Sequence, residues 1–429
     1  MGIVNMFQKS LYQQWLQKEV APALGCTEPV AIAYAAAFAT RYLKAPACKI
    51  HGYVSANLYK NAMGVTIPGT KSNGINLAAA IGSIGGNPEL GLETLKGITP
   101  DMEKRAREMV NDGVVDIAAR DTADFIYIDL TVQSAQDKCR VVVSGTHTNV
   151  TEVYVNDVKQ DAGNNVRTVK EEKELPLFSV ADAFNYITSV SPDEISFMLE
   201  AARINTRLSD EGKKHQYGLN INQIFKDAQN GGVLGDGLMS QVVIDTVAAS
   251  DARMGGAPVP AVSNFGSGNQ GIAATMPVVV VARYLNVSEE DLIRALAFSH
   301  LTAISIHSRY TRLSAFCAAS TASMGAAAGM AWLFTRRLDV AGKAIMNMIS
   351  DITGMVCDGA SNSCAMKVAT ATMSAFKSVL LARQDVCVSP NDGIVTESLE
   401  SSIDNLCRLV NKPMTYTDKE IIAIMTSKS

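Results

Sequence analysis

The sequence predicts an α+β fold: a domain of N-terminal helices and an antiparallel sheet over residues 1–174, then a larger all-α domain over 175–429. Three observations carry this expectation. A hydrophobic period of two is confined to Val114–Val155. Beyond Leu175, runs rich in Ala, Met and Leu alternate with Gly-rich breaks at helical lengths. Between the two regimes lies a polar stretch, Lys159 to Glu174, which reads as a surface linker.

Taken in order, Leu11 to Leu43 has a helical pattern interrupted at Gly25-Cys-Thr-Glu-Pro29. Thr27 is a good N-cap type and Pro29 suits a first helical turn, so a second helix starts near Glu28. Lys49 to Val54 is a short strand, and the Gly- and Asn-rich stretch from Asn57 to Asn87 places helices in its apolar parts. Phe125–Val132 and Arg140–Ser144 are strands joined by a turn at Gln136-Asp137, and Val150–Val155 is a third. In the second half only Pro277–Val281 imitates a strand. Leu313 to Thr335 carries no charge, but its Ala, Ser, Gly and Thr gain little from lipid and suit close helix contact; it reads as a buried core helix.

A net charge of −4 and a pI near 5.8, with Lys and Arg scattered, exclude a basic nucleic-acid or membrane-binding surface. The first eighteen residues lack the apolar core of a signal peptide, so a cytoplasmic location is expected. On general grounds an enzyme of this size forms a symmetric homo-oligomer. Eight cysteines without an export signal point away from disulfides, towards metal ligands, reactive thiols or small buried hydrophobes.

Cys357 and Cys364 flank a loop of Asp, Gly, Ala, Ser and Asn able to fold round a bound group, and Cys317 sits at another helix–loop junction. Thiolates are soft ligands, and three of them can hold a [4Fe–4S] cube with one iron open; the spacing departs from the short zinc patterns. The plain alternative is three packed cysteines in an Ala-rich core. Cys48, Cys139, Cys387 and Cys407 lack polar surroundings and are structural. At a helix start, Cys26 would have its thiolate favoured by free backbone N–H groups, a candidate base, nucleophile or fourth ligand.

Gly266-Ser-Gly-Asn-Gln-Gly271 matches the letters of a dinucleotide fingerprint, but two prolines precede it where a buried strand is required. A loop offering N–H groups to a carboxylate is the better reading. Polar islands supply the anchors an amino acid needs: Asn57, Lys60 and Asn61; His147 and Asn149; His300; His307 and Arg309. His51 and His215 stand alone and read as surface or core residues. No G-x-S-x-G, phosphate-binding Walker loop or H-E-x-x-H occurs.

Together with Ser250-Asp-Ala-Arg-Met-Gly-Gly256, the Gly25–Pro29, Gly266–Gly271 and Cys357–Cys364 motifs resemble the L-cysteine desulfidases of bacteria and archaea, from about Trp15 to the C-terminus. A more distant resemblance, confined to the helical half, is to iron–sulfur L-serine dehydratases. The resemblance implies a [4Fe–4S] cluster on Cys317, Cys357 and Cys364, and conversion of L-cysteine to pyruvate, ammonia and sulfide. It also implies Cys26 as base or switchable ligand; on mechanistic grounds Cys26 is the first choice of base and His300 the second. Thr27, Glu28, Asn57, Asn61, His147, Asn269, Arg309 and Lys367 are the expected substrate contacts. Serine or threonine dehydration on the same cluster and metal-free binding of a small molecule are the alternatives.

Overall fold

The computed structural model describes residues 2–23, 27–160, 175–311 and 314–428, with side chains from residue 11 onward. Its elements run α1 (Gly2–Glu19), β1 (Pro22–Ala23), α2 (Thr27–Thr40), β2 (Lys49–Ser55), α3 (Ala56–Ala62), α4 (Ile75–Gly85) and α5 (Pro100–Asn111). Five strands follow: β3 (Val115–Arg120), β4 (Tyr127–Gln133), β5 (Lys138–Ser144), β6 (Val150–Val155) and β7 (Val158–Lys159). Helices then dominate: α6 (Val180–Ser189), α7 (Met198–Lys214), α8 (Ile221–Asn230) and α9 (Leu238–Met254). The short strand β8 (Ala261–Val262) precedes α10 (Gly268–Leu285), α11 (Glu289–His307), α12 (Ala318–Thr335) and α13 (Leu338–Ile352). The chain ends in α14 (Cys364–Arg383), α15 (Leu399–Asn411) and α16 (Met414–Thr426). This is the α+β arrangement expected from the pattern. The expected linker falls largely on residues outside those described.

The main sheet has the order β3-β2-β4-β5-β6-β7. Alternation along β4 sends Ile128, Leu130 and Val132 into a core closed by α2 and α4. The β2–β4, β4–β5 and β5–β6 pairs are antiparallel as expected, but β2 and β3 run parallel. The cause is the connection: α3, α4 and α5 lie between them, and a helical crossover returns a strand in the same direction. α4 crosses α2 so closely that a Cβ on Gly82 would stand 2.2 Å from the Ala33 carbonyl oxygen.

A second, larger core is built by α6 and α9–α15, with α12 at its centre. Apart from Phe334 and Thr335, α12 is buried beyond its first residue, and Pro277 to Val281 lies inside α10. Among the described residues, no helix is long and apolar enough to cross a membrane. Tyr12, Trp15 and Leu16 of α1 belong to this second core, and β1 pairs antiparallel with β8. The N-terminal segment thereby anchors the strand that leads into the Gly266–Gly271 loop.

Candidate active site

Between the two cores lies a cavity of about 760 Å³. Its wall includes Cys317, Cys357 and Cys364, and with them Thr27, Glu28, Asn61, His147 and Asn269. Eight of the expected site residues therefore meet, drawn from segments that lie more than 330 positions apart in the chain.

Backbone contacts fix the thiols. Phe316 and Val356 form an antiparallel bridge; the Cys317 N–H donates to the Met355 carbonyl at 3.1 Å, and that of Cys357 to Ala315 at 2.7 Å. The loop between Cys357 and Cys364 turns at Gly359, whose φ of 105° suits glycine. Cys317 is the N-cap of α12, and Cys364 is the first residue of α14. Both thiols are pushed above their ordinary range, first by burial and next by the Cys357 thiol; Lys367 acts in the opposite direction. Cys317 is buried and Cys357 and Cys364 are half-buried, all three free thiols, and soft sulfur donors of this kind favour a bound cation. Among the described residues, no three His, Cys, Asp or Glu side chains converge on one ion. The three thiols line one cavity wall, and thiolates are the donors that iron–sulfur groups take.

Four helices begin at this wall: α2 with Thr27 and Glu28, α10 with Ser267 and Asn269, α12 with Cys317, and α14 with Cys364. Each brings free N–H groups and the positive end of its dipole, so the cavity favours anions, whether thiolates or a carboxylate. The Ser267 hydroxyl caps α10 by accepting from the Gln270 N–H at 3.3 Å. Phe265 and Gly266, at φ 47° and 82°, form the left-handed turn before it. This is why the Gly-rich motif exists: Gly266 makes the turn, Gly268 leaves room for Arg253, and Gly271 lets α10 touch the Val262 carbonyl. Among the described residues, β8 pairs with β1 alone, so no nucleotide-binding βαβ unit surrounds the motif.

Arg253 also lines the cavity, and the sequence reading did not select it. It ends α9, and a Cβ on Gly268 would stand 2.1 Å from its Nε. The signal was Ser250–Gly256, a charged residue just before two glycines. Nearby, Asp251 is fully buried and accepts from the Ile221 N–H at 2.7 Å, capping α8; burial pushes its carboxyl up to about 6.

Other expected contacts are placed elsewhere. Arg309 lines a different cavity and is neutralised by Glu400 and by Asp404 at 2.9 Å. His300 lies elsewhere too. It is buried outside the wall, with Nδ1 accepting from the Asn264 amide and Nε2 donating to Thr275, each at 3.0 Å. Burial lowers its pKa to about 3, so it stays neutral. Gln270 donates to Asn264 at 2.8 Å and accepts from His307 at 2.7 Å, so these histidines form a polar layer beneath the Gly-rich loop. Asn57 begins α3 outside the wall, and Lys367 pairs with Asp358 beside it. Cys26 lies outside the described residues. His147 remains at the wall; burial lowers its pKa, and Glu28 opposes that shift.

A family model for serine dehydratase alpha chains matches residues 89–423. Relatives along nearly the whole chain include a UPF0597 protein of Klebsiella pneumoniae, 61% identical over 425 residues that make up 99% of this chain and 100% of that protein. A UPF0597 protein of Actinobacillus pleuropneumoniae serotype 3 is 47% identical over 416 residues, 96% of each chain. The UPF0597 protein YhaM of Escherichia coli K12 is 45% identical over 437 residues, covering 99% of this chain and 100% of YhaM.

Proposed function

Because the chain belongs to the serine dehydratase alpha-chain family, we propose that it is a cytoplasmic iron–sulfur lyase that converts L-cysteine to pyruvate, ammonia and sulfide. The observation that supports it is the meeting of Cys317, Cys357 and Cys364 on one cavity with Thr27, Glu28 and His147. Those three thiolates would hold a [4Fe–4S] cluster. When bound, it supplies an iron with an open position, a Lewis acid towards the leaving β-substituent.

The chain's own groups do the rest. Arg253 and the first turn of α10 hold the substrate carboxylate, replacing the expected Arg309. The Glu28 carboxylate, which accepts from the Thr27 hydroxyl at 3.3 Å, receives the ammonium. Cys26, which precedes Thr27 in the chain, takes the α-proton; His147, kept neutral by burial, is the second candidate for that task. Phe125, Phe265 and Phe316 on the wall exclude water, which strengthens these charge contacts. The Asn264–Gln270–His300 layer keeps the Gly-rich loop rigid beneath the carboxylate.

Dehydration of L-serine is the second reading, favoured by the family description. Both are tested by reconstituting the protein with iron and sulfide without oxygen, then measuring sulfide released from L-cysteine beside pyruvate formed from L-serine. Faster sulfide release supports the desulfidase; pyruvate from serine alone overturns it in favour of the dehydratase. A cluster-loaded protein that does neither overturns the lyase.

A further inference from the structure

Lys60 lies in α3 with only 1% of its surface exposed, the largest of the fully buried side chains. A buried ammonium needs a counter-charge, because desolvation outweighs what an apolar pocket returns. That charge comes from Asp418, 358 residues later, on the C-terminal helix α16. The same Nζ reaches the Ser314 carbonyl at 3.5 Å, three residues before Cys317. Lys60 touches the other thiol-bearing loop through its main chain: a Cβ on Gly359 would stand 2.4 Å from the Lys60 carbonyl oxygen. Four residues on, Gly64 bridges Ser361 in the same loop. Asn61, next to Lys60, is itself part of the cavity wall.

We propose that Lys60 and Asp418 form a clamp that positions the loops bearing Cys317 and Cys357–Cys364, a role that rests on reading those cysteines as cluster ligands. The character of α16 makes the clamp decisive for its docking. None of its residues is buried, so apolar burial holds it weakly. Among the described residues, Asp418 makes its one ion pair. With α16 docked, Lys60 is neutralised and both loops are held against α3. With Asp418 absent, the ammonium draws water or swings outwards and pulls Ser314 and Gly359 from their positions. Lys60 is thus a positioning residue, acting through the loops.

The test uses the full chain, purified without oxygen, as parent, Asp418→Asn, and Lys60→Met combined with Asp418→Asn. Iron and acid-labile sulfide are measured after reconstitution, and amide exchange is measured on the iron-free proteins. In Asp418→Asn, iron content falls at least about threefold and exchange in residues 314–317 and 357–364 rises about tenfold, with β4 and β5 unchanged. Adding Lys60→Met restores more than half of the iron, because no charge is left to neutralise. Parental iron and exchange in Asp418→Asn would overturn the clamp, as would a double variant no better than the single one. A parent that takes up no iron would sink the lyase reading, while loop exchange on iron-free protein still decides the clamp.

Discussion

Gly268 and Gly271 stand three residues apart on one helix, yet they answer to different constraints. An added methyl at Gly268 meets the Arg253 side chain, 2.1 Å from Nε and 2.6 Å from Cζ, whereas at Gly271 it meets main chain, 1.8 Å from the Val262 carbonyl oxygen. A side chain can swing away and a strand cannot. Gly268→Ala is therefore expected to cost less than about 1 kcal/mol of stability while raising the KM for the amino acid several-fold, because the carboxylate anchor moves. Gly271→Ala is expected to cost about 2 kcal/mol or more by overpacking. Denaturant melts beside steady-state kinetics separate the two. His300 makes a prediction of its own. Its folded pKa near 3 lies below the ordinary 6.5, so as the pH falls the unfolded chain takes the proton first. Stability is complete above 6.5 and drains as the pH drops towards 3, by at most about 1.4 kcal/mol per pH unit. His300→Gln should flatten the urea midpoint measured between pH 7 and 4.5; an unchanged slope would remove His300 as its source. Legibility at this scale follows the range of the interactions. The polar loop between Cys357 and Cys364, and the Thr-Glu-Pro start of α2, are local patterns, and both reach the wall. The ion pairs of Arg309 were not legible because Glu400 and Asp404 lie more than 90 residues away; Arg253 was missed because a glycine on another helix makes its space.

Among the elements, α12 shows why an uncharged run can be a core helix without being a membrane span. Its small residues let α11 approach to main-chain contact: a Cβ on Gly325 would stand 2.3 Å from the Ser299 carbonyl oxygen, and one on Gly329 2.9 Å from the Ala295 carbonyl oxygen. The apparent cost of so many small residues, little apolar area each, is offset by packing density along the whole helix. Gly325→Ala must push α11 away from α12, and it is expected to cost about 2 kcal/mol or more. Because α12 begins at Cys317, that shift should also reduce iron uptake. A variant of parental stability and iron content would show that this helix pair is looser than its spacing implies. The same element explains what sequence could supply. Composition alone marked α12 as buried, since no other role suits so uniform a run. The parallel pairing of β2 with β3 had no such mark: alternation identifies a strand and its buried face, but not the direction of a neighbour reached through three helices.

For the molecule as a whole, the decisive fact is that the cavity belongs to neither core. The sheet-bearing core contributes the start of α2, Asn61 and the loops at Asp124–Ile126 and Gly145–His147; the helical core contributes the three cysteines, Arg253 and the Gly-rich loop. Much of this seam is apolar, with Phe125, Phe265 and Phe316 on it, and burial favours the protonated form of the Cys317 and Cys364 thiols. A cluster bound there would displace the thiol protons and bond three segments at once, and a ligand that binds only the folded state stabilises it by mass action. Loading the oxygen-free protein with iron and sulfide should therefore raise its melting temperature by several degrees. Cys357→Ala should remove the rise, since a cluster on two thiolates is weakly held. Cys139→Ala provides the contrast: that thiol is buried in the sheet core far from the wall, so the baseline melting point should fall while the iron-dependent rise persists. If Cys357→Ala keeps the full rise, the stabilising iron is held somewhere other than this seam.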